Sequence, residues 1–227
     1  MTTRLAVIPA RGGSTRLKDK NIFPLEGKPL IRWMTEAVIK SESFDKVVIS
    51  TDSDKIFEAV ADLPVERHIR SSEHATVHAT VLKAMIDLMG KSEKKYDVFA
   101  YFLPTAPLTS AEDIRKGVEL LTTGIDSVVS ITEMPEPIQK ACILKNDWVV
   151  PVFDNLTAGL TNSKFIQKYH TPTGAFYMSW WDNLEKNKNF FVGNVKGVNI
   201  PKSRYVDIDD IEDIQYAEIM LKKETIC

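Results

Sequence analysis

The sequence predicts a largely parallel, doubly wound α/β sheet, and three observations lead there. Short β-branched runs recur through the first 130 residues, and stretches with helical spacing lie between them. The runs are continuous rather than alternating, as strands covered on both faces require.

The predicted strands are Leu5-Ala6-Val7-Ile8, Lys46-Val47-Val48-Ile49-Ser50, Val98-Phe99-Ala100-Tyr101-Phe102 and Ser127-Val128-Val129-Ser130-Ile131. Between them Leu30, Trp33, Met34, Ala37 and Val38 recur at three and four residues, which marks one face of a helix. Ile56, Ala59 and Val60 repeat the spacing. So do Val81, Ala84, Met85 and Leu88, then Ile114, Val118 and Leu121. These apolar residues build the core and carry no chemistry.

From about Pro135 to His170 the rhythm breaks. Three prolines and the polar run Asn155 to Lys164 predict an insertion or arm at 135–170. A strand over Ala175–Met178 and a short helix around Trp180 to Leu184 follow. Val206-Asp207-Ile208-Asp209 reads as a further strand end, and an amphipathic helix from Ile211 to Leu221 closes the chain.

At 227 residues, 44% hydrophobic and 26% charged, the chain suits one large α/β domain with a core that needs no staples. A net charge of −2 with interleaved signs argues against a nucleic-acid or membrane-surface role. The apolar run after Thr3 is too short for a signal peptide or membrane span. Cys142 and Cys227 lie far apart, outside any CxxC pattern, and suit a reducing cytosol. A soluble, cytoplasmic protein is expected.

Directly after the first strand comes Pro9-Ala10-Arg11-Gly12-Gly13-Ser14-Thr15-Arg16-Leu17-Lys18-Asp19-Lys20-Asn21. Two glycines allow a sharp turn and let backbone N–H groups approach a ligand. Arg11, Arg16, Lys18 and Lys20 place four cations within ten residues. Donors and cations at the C-terminal end of a sheet strand suit a triphosphate. The loop is neither GxGxxG nor GxxxxGK[ST], so the dinucleotide and Walker readings do not apply.

Alternation puts Asp207 and Asp209 on one face of an extended segment, about 7 Å apart along it. Such a pair can share a divalent cation. Asp209 or Asp210 can instead cap the helix beginning near Ile211, and one carboxylate can cap while the other binds metal. Ser50-Thr51-Asp52-Ser53-Asp54 follows the second strand, where helix capping by Asp52 or Ser53 is favoured over contact with a nucleotide. Pro104-Thr105-Ala106-Pro107-Leu108-Thr109 forms a rigid loop at the same sheet edge. His68, His74 and His78 lack the partners of a zinc site. His170, beside Tyr169, faces the substrate side. No Ser or Cys nucleophile sits in a recognisable elbow.

Ile8-Pro-Ala-Arg-Gly-Gly-Ser14, Lys20-Asn-Ile22 and Gly27-Lys-Pro-Leu-Ile31 resemble the opening of the acylneuraminate cytidylyltransferases, the CMP-sialic acid synthetases and their bacterial pseudaminic and legionaminic acid relatives. Phe44-Asp-Lys-Val-Val-Ile-Ser-Thr-Asp52, Pro104-Thr-Ala-Pro-Leu108, Gly174-Ala-Phe-Tyr177 and Asp207-Ile-Asp209 match in the same order, so the resemblance spans nearly the whole chain. It implies a mixed, mostly parallel, Rossmann-like nucleotidyltransferase sheet forming a single domain over 1–227. The arm at 135–170 would cross to a partner in a homodimer. Thr15 stands where the family often has Lys, with Arg16 as the replacement cation. Pro137-Ile-Gln-Lys140 and Tyr169-His170 look closer to the pseudaminic acid branch.

The resemblance also implies roles. Arg11, Ser14 and Lys20 hold the CTP phosphates together with Gly12, Gly13 and Arg16, Asn21 contacts the nucleotide, and Arg70 and Thr80 lie near the cytidine. Lys140, His170 and Tyr177 take the sugar side, and Asp207 and Asp209 hold Mg²⁺ or another divalent cation. Arg11, Lys20 and Asp209 are the expected catalytic residues. The implied reaction is attack of the anomeric 2-hydroxyl of an acidic nine-carbon 2-keto sugar on the α-phosphate of CTP. The alternatives are a 3-deoxy-manno-octulosonate cytidylyltransferase, another sugar nucleotidyltransferase, and a non-catalytic CTP-binding protein.

Overall fold

The computed structural model describes residues 1–71, 73, 80–159, 162 and 166–226. The elements that carry the fold, in chain order, begin with strands β1 (Arg4–Pro9), β2 (Pro24–Leu25) and β3 (Lys28–Pro29), then helix α1 (Leu30–Ser41). They continue with β4 (Lys46–Thr51), α2 (Asp54–Glu58), β5 (Glu66–Ile69), α3 (Val81–Gly90), β6 (Val98–Phe102), α4 (Ala111–Leu120) and β7 (Ser127–Glu133). A hairpin of β8 (Cys142–Lys145) and β9 (Trp148–Pro151), with the short helix α5 (Asp154–Thr157), precedes β10 (His170–Trp180), α6 (Trp181–Asn187), β11 (Val195–Asn199) and α7 (Ile211–Ile226).

Among the described residues seven strands join one sheet, in the order β11-β7-β10-β6-β1-β4-β5. β1 pairs in parallel with β4 and with β6, β4 with β5, and β7 with β11. β10 alone runs against its neighbours β6 and β7. The sheet is therefore mixed and mostly parallel, and six of its strands end at one edge.

The continuous apolar runs fold as two-sided strands for the reason they predict. Ala6 and Ile8 pack with Ile31, Met34, Val38, Ile56 and Ile114 on the face carrying α1, α2 and α4. Leu5 and Val7 face the other way, onto Met85, Leu88, Trp181 and Leu184 of α3 and α6. Neighbouring residues of β1 thus serve opposite faces, and none of Leu5, Ala6, Val7 or Ile8 is more than 2% exposed. A third cluster of Leu25, Leu30, Leu108, Val206, Ile208, Ile214 and Ala217 ties α7 to the edge of the molecule that carries the glycine loop.

Two expectations need correcting. Val206–Asp209 is not a strand: no ladder partner lies beside it, and the backbone bond that anchors it runs from Ile208 N–H to the Thr105 carbonyl, 2.8 Å. α2 ends at Glu58, so Ala59 and Val60 lie in the turn that follows. No strong sequence signal marks β5, which is charged and sits at the sheet edge, β11, or the β8–β9 hairpin.

The stretch between Glu133 and His170 holds a 3-10 turn at Ile138–Lys140 and the hairpin, whose tip residues Asn146 and Asp147 both have positive φ. Paired positive φ is the two-residue turn whose twist matches that of flanking strands. Leu144 is 70% exposed and Trp148 76%. No helix among the described residues is long and apolar enough to cross a membrane.

Candidate active site

The chain leaves β1, crosses to β4 and β5 on one side, then returns to β6 on the other. This reversal opens a crevice beyond the carboxyl end of β1, where ligands of open α/β sheets bind. A cleft of about 250 Å³ lies there, lined by Arg11, Ser14, Thr15, Arg16, Lys20, Asn21, Arg70, Val81, Leu103, Thr105 and Asp209, among others.

The glycine loop forms one wall. Ala10 N–H still bonds the Ser50 carbonyl of β4 at 2.9 Å, after which the loop departs from the sheet. Neither Gly12 nor Gly13 has positive φ, so the sharp-turn argument does not explain them. Gly12 is required by close approach: a Cβ there would lie 3.1 Å from Ser53 Cβ, whereas one on Gly13 would meet nothing within 4 Å. Gly12 N–H donates to Asp52 Oδ1 at 2.8 Å. The expected capping role of Asp52 is thereby overturned. Ser53 is the N-cap of α2, with no side-chain cap bond, and Asp52 turns back to the loop.

A 3-10 turn at Lys20–Ile22 follows, reached through Asp19 in the left-handed region. Asn21 is buried and its Nδ2 donates to the Arg11 carbonyl at 2.9 Å, bracing the loop from behind. Lys20 Nζ reaches across the cleft to the Ile208 carbonyl at 2.7 Å and Asp209 Oδ1 at 2.9 Å. Arg16 takes the other Asp209 oxygen at 2.7 Å. Loop and acidic segment, 189 positions apart, are thus stitched together.

Val206 and Ile208 are buried, and between and beside them Asp209 lines the cleft while Asp207 lies outside its lining. The capping reading of this segment holds, on Asp210. Asp210 Oδ1 accepts from the N–H groups of Glu212 and Asp213, and Asp213 Oδ2 accepts from those of Asp209 and Asp210. That reciprocal cap starts α7 and frees Asp209 for charge work. Solvent reaches Asp207, yet protein crowds it on most sides. The crowding pushes its carboxyl up despite a hydrogen bond from Thr105, and the charge of Asp209 adds to the push. Around Asp209 the lost hydration also pushes up, but Lys20 and Arg16 outweigh it and hold that carboxyl below the usual range.

Two hard oxygen donors, one of them destabilised as an anion, fit a divalent cation of the magnesium type. Among the described residues no cluster of three or more His, Cys, Asp or Glu could hold a metal. Phosphate oxygens and water would supply the other ligands, as is usual for Mg²⁺.

A family model described as Cytidylyltransferase matches residues 5–151. The chain belongs to the cytidylyltransferase family. It is 30% identical over 223 residues to a pseudaminic acid cytidylyltransferase of Campylobacter jejuni, covering 96% of each chain. It is 32% identical over 238 residues to a CMP-N,N'-diacetyllegionaminic acid synthase of Legionella pneumophila, again covering 96% of each. An N-acylneuraminate cytidylyltransferase of Escherichia coli is 30% identical over 225 residues, which span 98% of this chain and 53% of that one. Among solved structures, a CMP:2-keto-3-deoxy-manno-octonic acid synthetase complexed with CTP superposes with a TM-score of 0.72. It covers 98% of this chain and 100% of that one at 15% identity, which speaks for the fold alone.

In this cytidylyltransferase Arg11, Ser14, Arg16, Lys20, Asn21, Arg70 and Asp209 line one cleft. Thr80 is exposed and caps α3, its hydroxyl accepting from Lys83 N–H at 3.3 Å, while its neighbour Val81 lines the cleft. Tyr177 stacks on Tyr101 with ring centres 4.9 Å apart. Burial pushes its phenol up, and the Asp207 charge adds to this. Lys140 lies elsewhere within this chain. It lines a second cleft of about 330 Å³ with Glu133, Pro137, Lys168 and Tyr169, and its Nζ bonds Glu136 at 3.1 Å. His170 is exposed at the start of β10, opposite Glu133. His68 bonds Ser50 away from the cleft, and His74 and His78 lie outside the described residues. Sequence reasoning placed the segments of Asp52 and Thr105 at this sheet edge without assigning either residue a part in the site, and it missed Leu103. Their position after β4 and β6, at the edge where β1 ends, was the available signal.

Proposed function

We propose that this cytidylyltransferase joins CMP from CTP to the anomeric 2-hydroxyl of a nine-carbon 2-keto sugar acid, releasing pyrophosphate. The acid is of the pseudaminic, legionaminic or N-acetylneuraminic class. The observation that carries the reading is the Lys20–Asp209–Arg16 clamp, which joins a cationic glycine loop to the acidic segment in one cleft. Relatives named for these three sugars align along nearly the whole chain.

In this reading Arg11, Ser14, Arg16 and Lys20, with the loop N–H groups, hold the triphosphate and stabilise charge on the departing pyrophosphate. Arg70 contributes from β5, and Asn21 keeps the loop backbone in place. The sugar hydroxyl attacks the α-phosphorus in line, its proton passes to solvent water, and the α–β bridging oxygen leaves with its electron pair. Asp209 orients that hydroxyl rather than storing its proton, because Lys20 and Arg16 keep its carboxylate weakly basic. Asp207 and Asp209 would hold Mg²⁺, which supplies charge neutralisation at the phosphates and acidifies the hydroxyl. Tyr177, Lys140 and His170 are assigned to the sugar side, the last two outside the phosphate cleft.

The chain acts as one catalytic domain over 1–227 in the cytoplasm, paired as a homodimer through the arm at 135–170. Exposed Leu144, Trp148 and Val149 on the hairpin support that pairing. An octulosonate cytidylyltransferase is the second reading, with which the shared fold of the octonic acid synthetase is consistent.

Pyrophosphate release tests the proposal, with CTP, Mg²⁺ and four acids offered in parallel: N-acetylneuraminic, legionaminic, pseudaminic and 3-deoxy-octulosonic. Turnover with a nine-carbon acid is expected. Turnover with the octulosonic acid alone would move the enzyme to the second reading. CTP binding without turnover on any of the four would leave a non-catalytic CTP-binding protein.

A further inference from the structure

β4 ends at Thr51, whose hydroxyl accepts the Ser53 N–H at 3.1 Å. The chain folds back on itself there, and Asp52 projects toward the glycine loop instead of capping α2. Gly12 lets the two segments close up, since a side chain at 12 would crowd Ser53 and approach Asp52 Oδ1 at 3.8 Å. Arg70 leaves the neighbouring strand, β5, and its own N–H bonds the Thr51 carbonyl at 3.1 Å. Its side chain lines the phosphate cleft although the residue is only 6% exposed, and its Nε has no hydrogen-bond partner among the described residues. Burial weakens the hold of Arg70 on its proton; Asp52 opposes that effect and Arg11 reinforces it. One carboxylate therefore accepts an N–H group of the loop while its charge acts on Arg70.

Asp52 is exposed at the border of the cleft rather than in its lining, and an acidic side chain so near a site for a polyanion calls for a role before the polyanion arrives. We infer that Asp52 is a positioning residue that holds Gly12 N–H in the free site as a phosphate oxygen would. It fixes the loop by a charge-assisted hydrogen bond, and it opposes the incoming triphosphate by its charge. The two effects have opposite signs, and they separate by substitution. This inference rests on the triphosphate reading of the cleft.

The test is calorimetric titration of CTP, without sugar, into the full chain and the variants Asp52→Asn, Asp52→Ala and Arg11→Ala. Asn keeps an acceptor for Gly12 N–H and deletes the charge, so CTP affinity rises about fivefold at low salt. Ala deletes both, frees the loop, and affinity falls about tenfold. A residue serving the fold alone would lower the melting temperature of both variants and move affinity one way. Shifts of the same sign, or none, overturn the inference. If Arg11→Ala weakens CTP binding while the two Asp52 variants behave alike, only this inference fails. If Arg11→Ala leaves CTP binding intact, the triphosphate reading fails and takes this inference with it.

Discussion

Gly12 has little room for a side chain and Gly13 has plenty, although the two are neighbours in one loop. A methyl at 12 would press on Ser53 at 3.1 Å, and Ser53 begins α2, which limits how far it can give. Gly12→Ala is therefore expected to push the loop off Asp52 and weaken CTP binding about tenfold, a cost near 1.4 kcal/mol. Gly13→Ala should leave the thermal midpoint where it is, because the added carbon meets nothing. Equal effects at both positions in titration and melting experiments would contradict the close-approach argument. The loop's cations were legible in the sequence because four of them crowd ten residues. The reason for Gly12 was not, since it depends on a partner forty positions away.

At the scale of elements, the acidic segment owes its place to a buried ion pair. Arg204 reaches Asp113 with two nitrogens and the Leu108 carbonyl with one of them, so the approach to Asp207 is tied to the Pro104–Thr109 loop and the start of α4. The side chains are 20% and 4% exposed. Burial alone would raise the Asp113 carboxyl, but Arg204 and the Ser110 capping bonds outweigh it and hold it below the ordinary range. Removing one partner leaves the other charge stranded, so Arg204→Ala should cost about 3 kcal/mol, roughly 8 °C in melting temperature. The sign of the pH dependence follows from the lowered value. Asp113 contributes full stability above the usual carboxylate range near pH 4 and loses it as pH falls through its folded value. In Asp113→Asn the acid side of the stability curve should flatten, a change read by melting scans between neutral and acid pH. Nothing in the sequence singles out Asp113, because an ion pair spanning 91 positions has no local pattern.

For the molecule as a whole, the centre of the sheet and the place of the irregular stretch at 135–170 were readable, and the hairpin inside that stretch was not. Leu5–Ile8 and Val98–Phe102 are apolar throughout because helices cover both faces, and that pattern survives without any tertiary knowledge. β5 carries Glu66, Arg67 and His68 because it is an edge strand, where charge guards against pairing with other chains. Its composition therefore hides it. The hairpin is opaque for the opposite reason: it exposes what a strand normally hides, with Ile143, Leu144, Trp148 and Val149 all open to water. A two-stranded ribbon of that kind is marginal alone. If the homodimer proposal holds, Leu144→Glu with Trp148→Glu should halve the mass seen by light scattering while the sheet stays folded. A wild-type chain that is already monomeric at micromolar concentration would remove the proposal.

The stitch between Lys20 and Asp209 has a consequence for how the protein is made. Ribosomes add about 5 to 20 residues each second, and β1 emerges long before the acidic segment exists. Arg16 and Lys20 thus wait for their carboxylate while all the intervening residues are made, and the pocket closes only once Asp209 has cleared the exit tunnel. A nascent chain halted before that point can lay down most of the sheet, yet it lacks the acidic side of the pocket. Nucleotide binding is in this sense a signal that translation has passed the acidic segment.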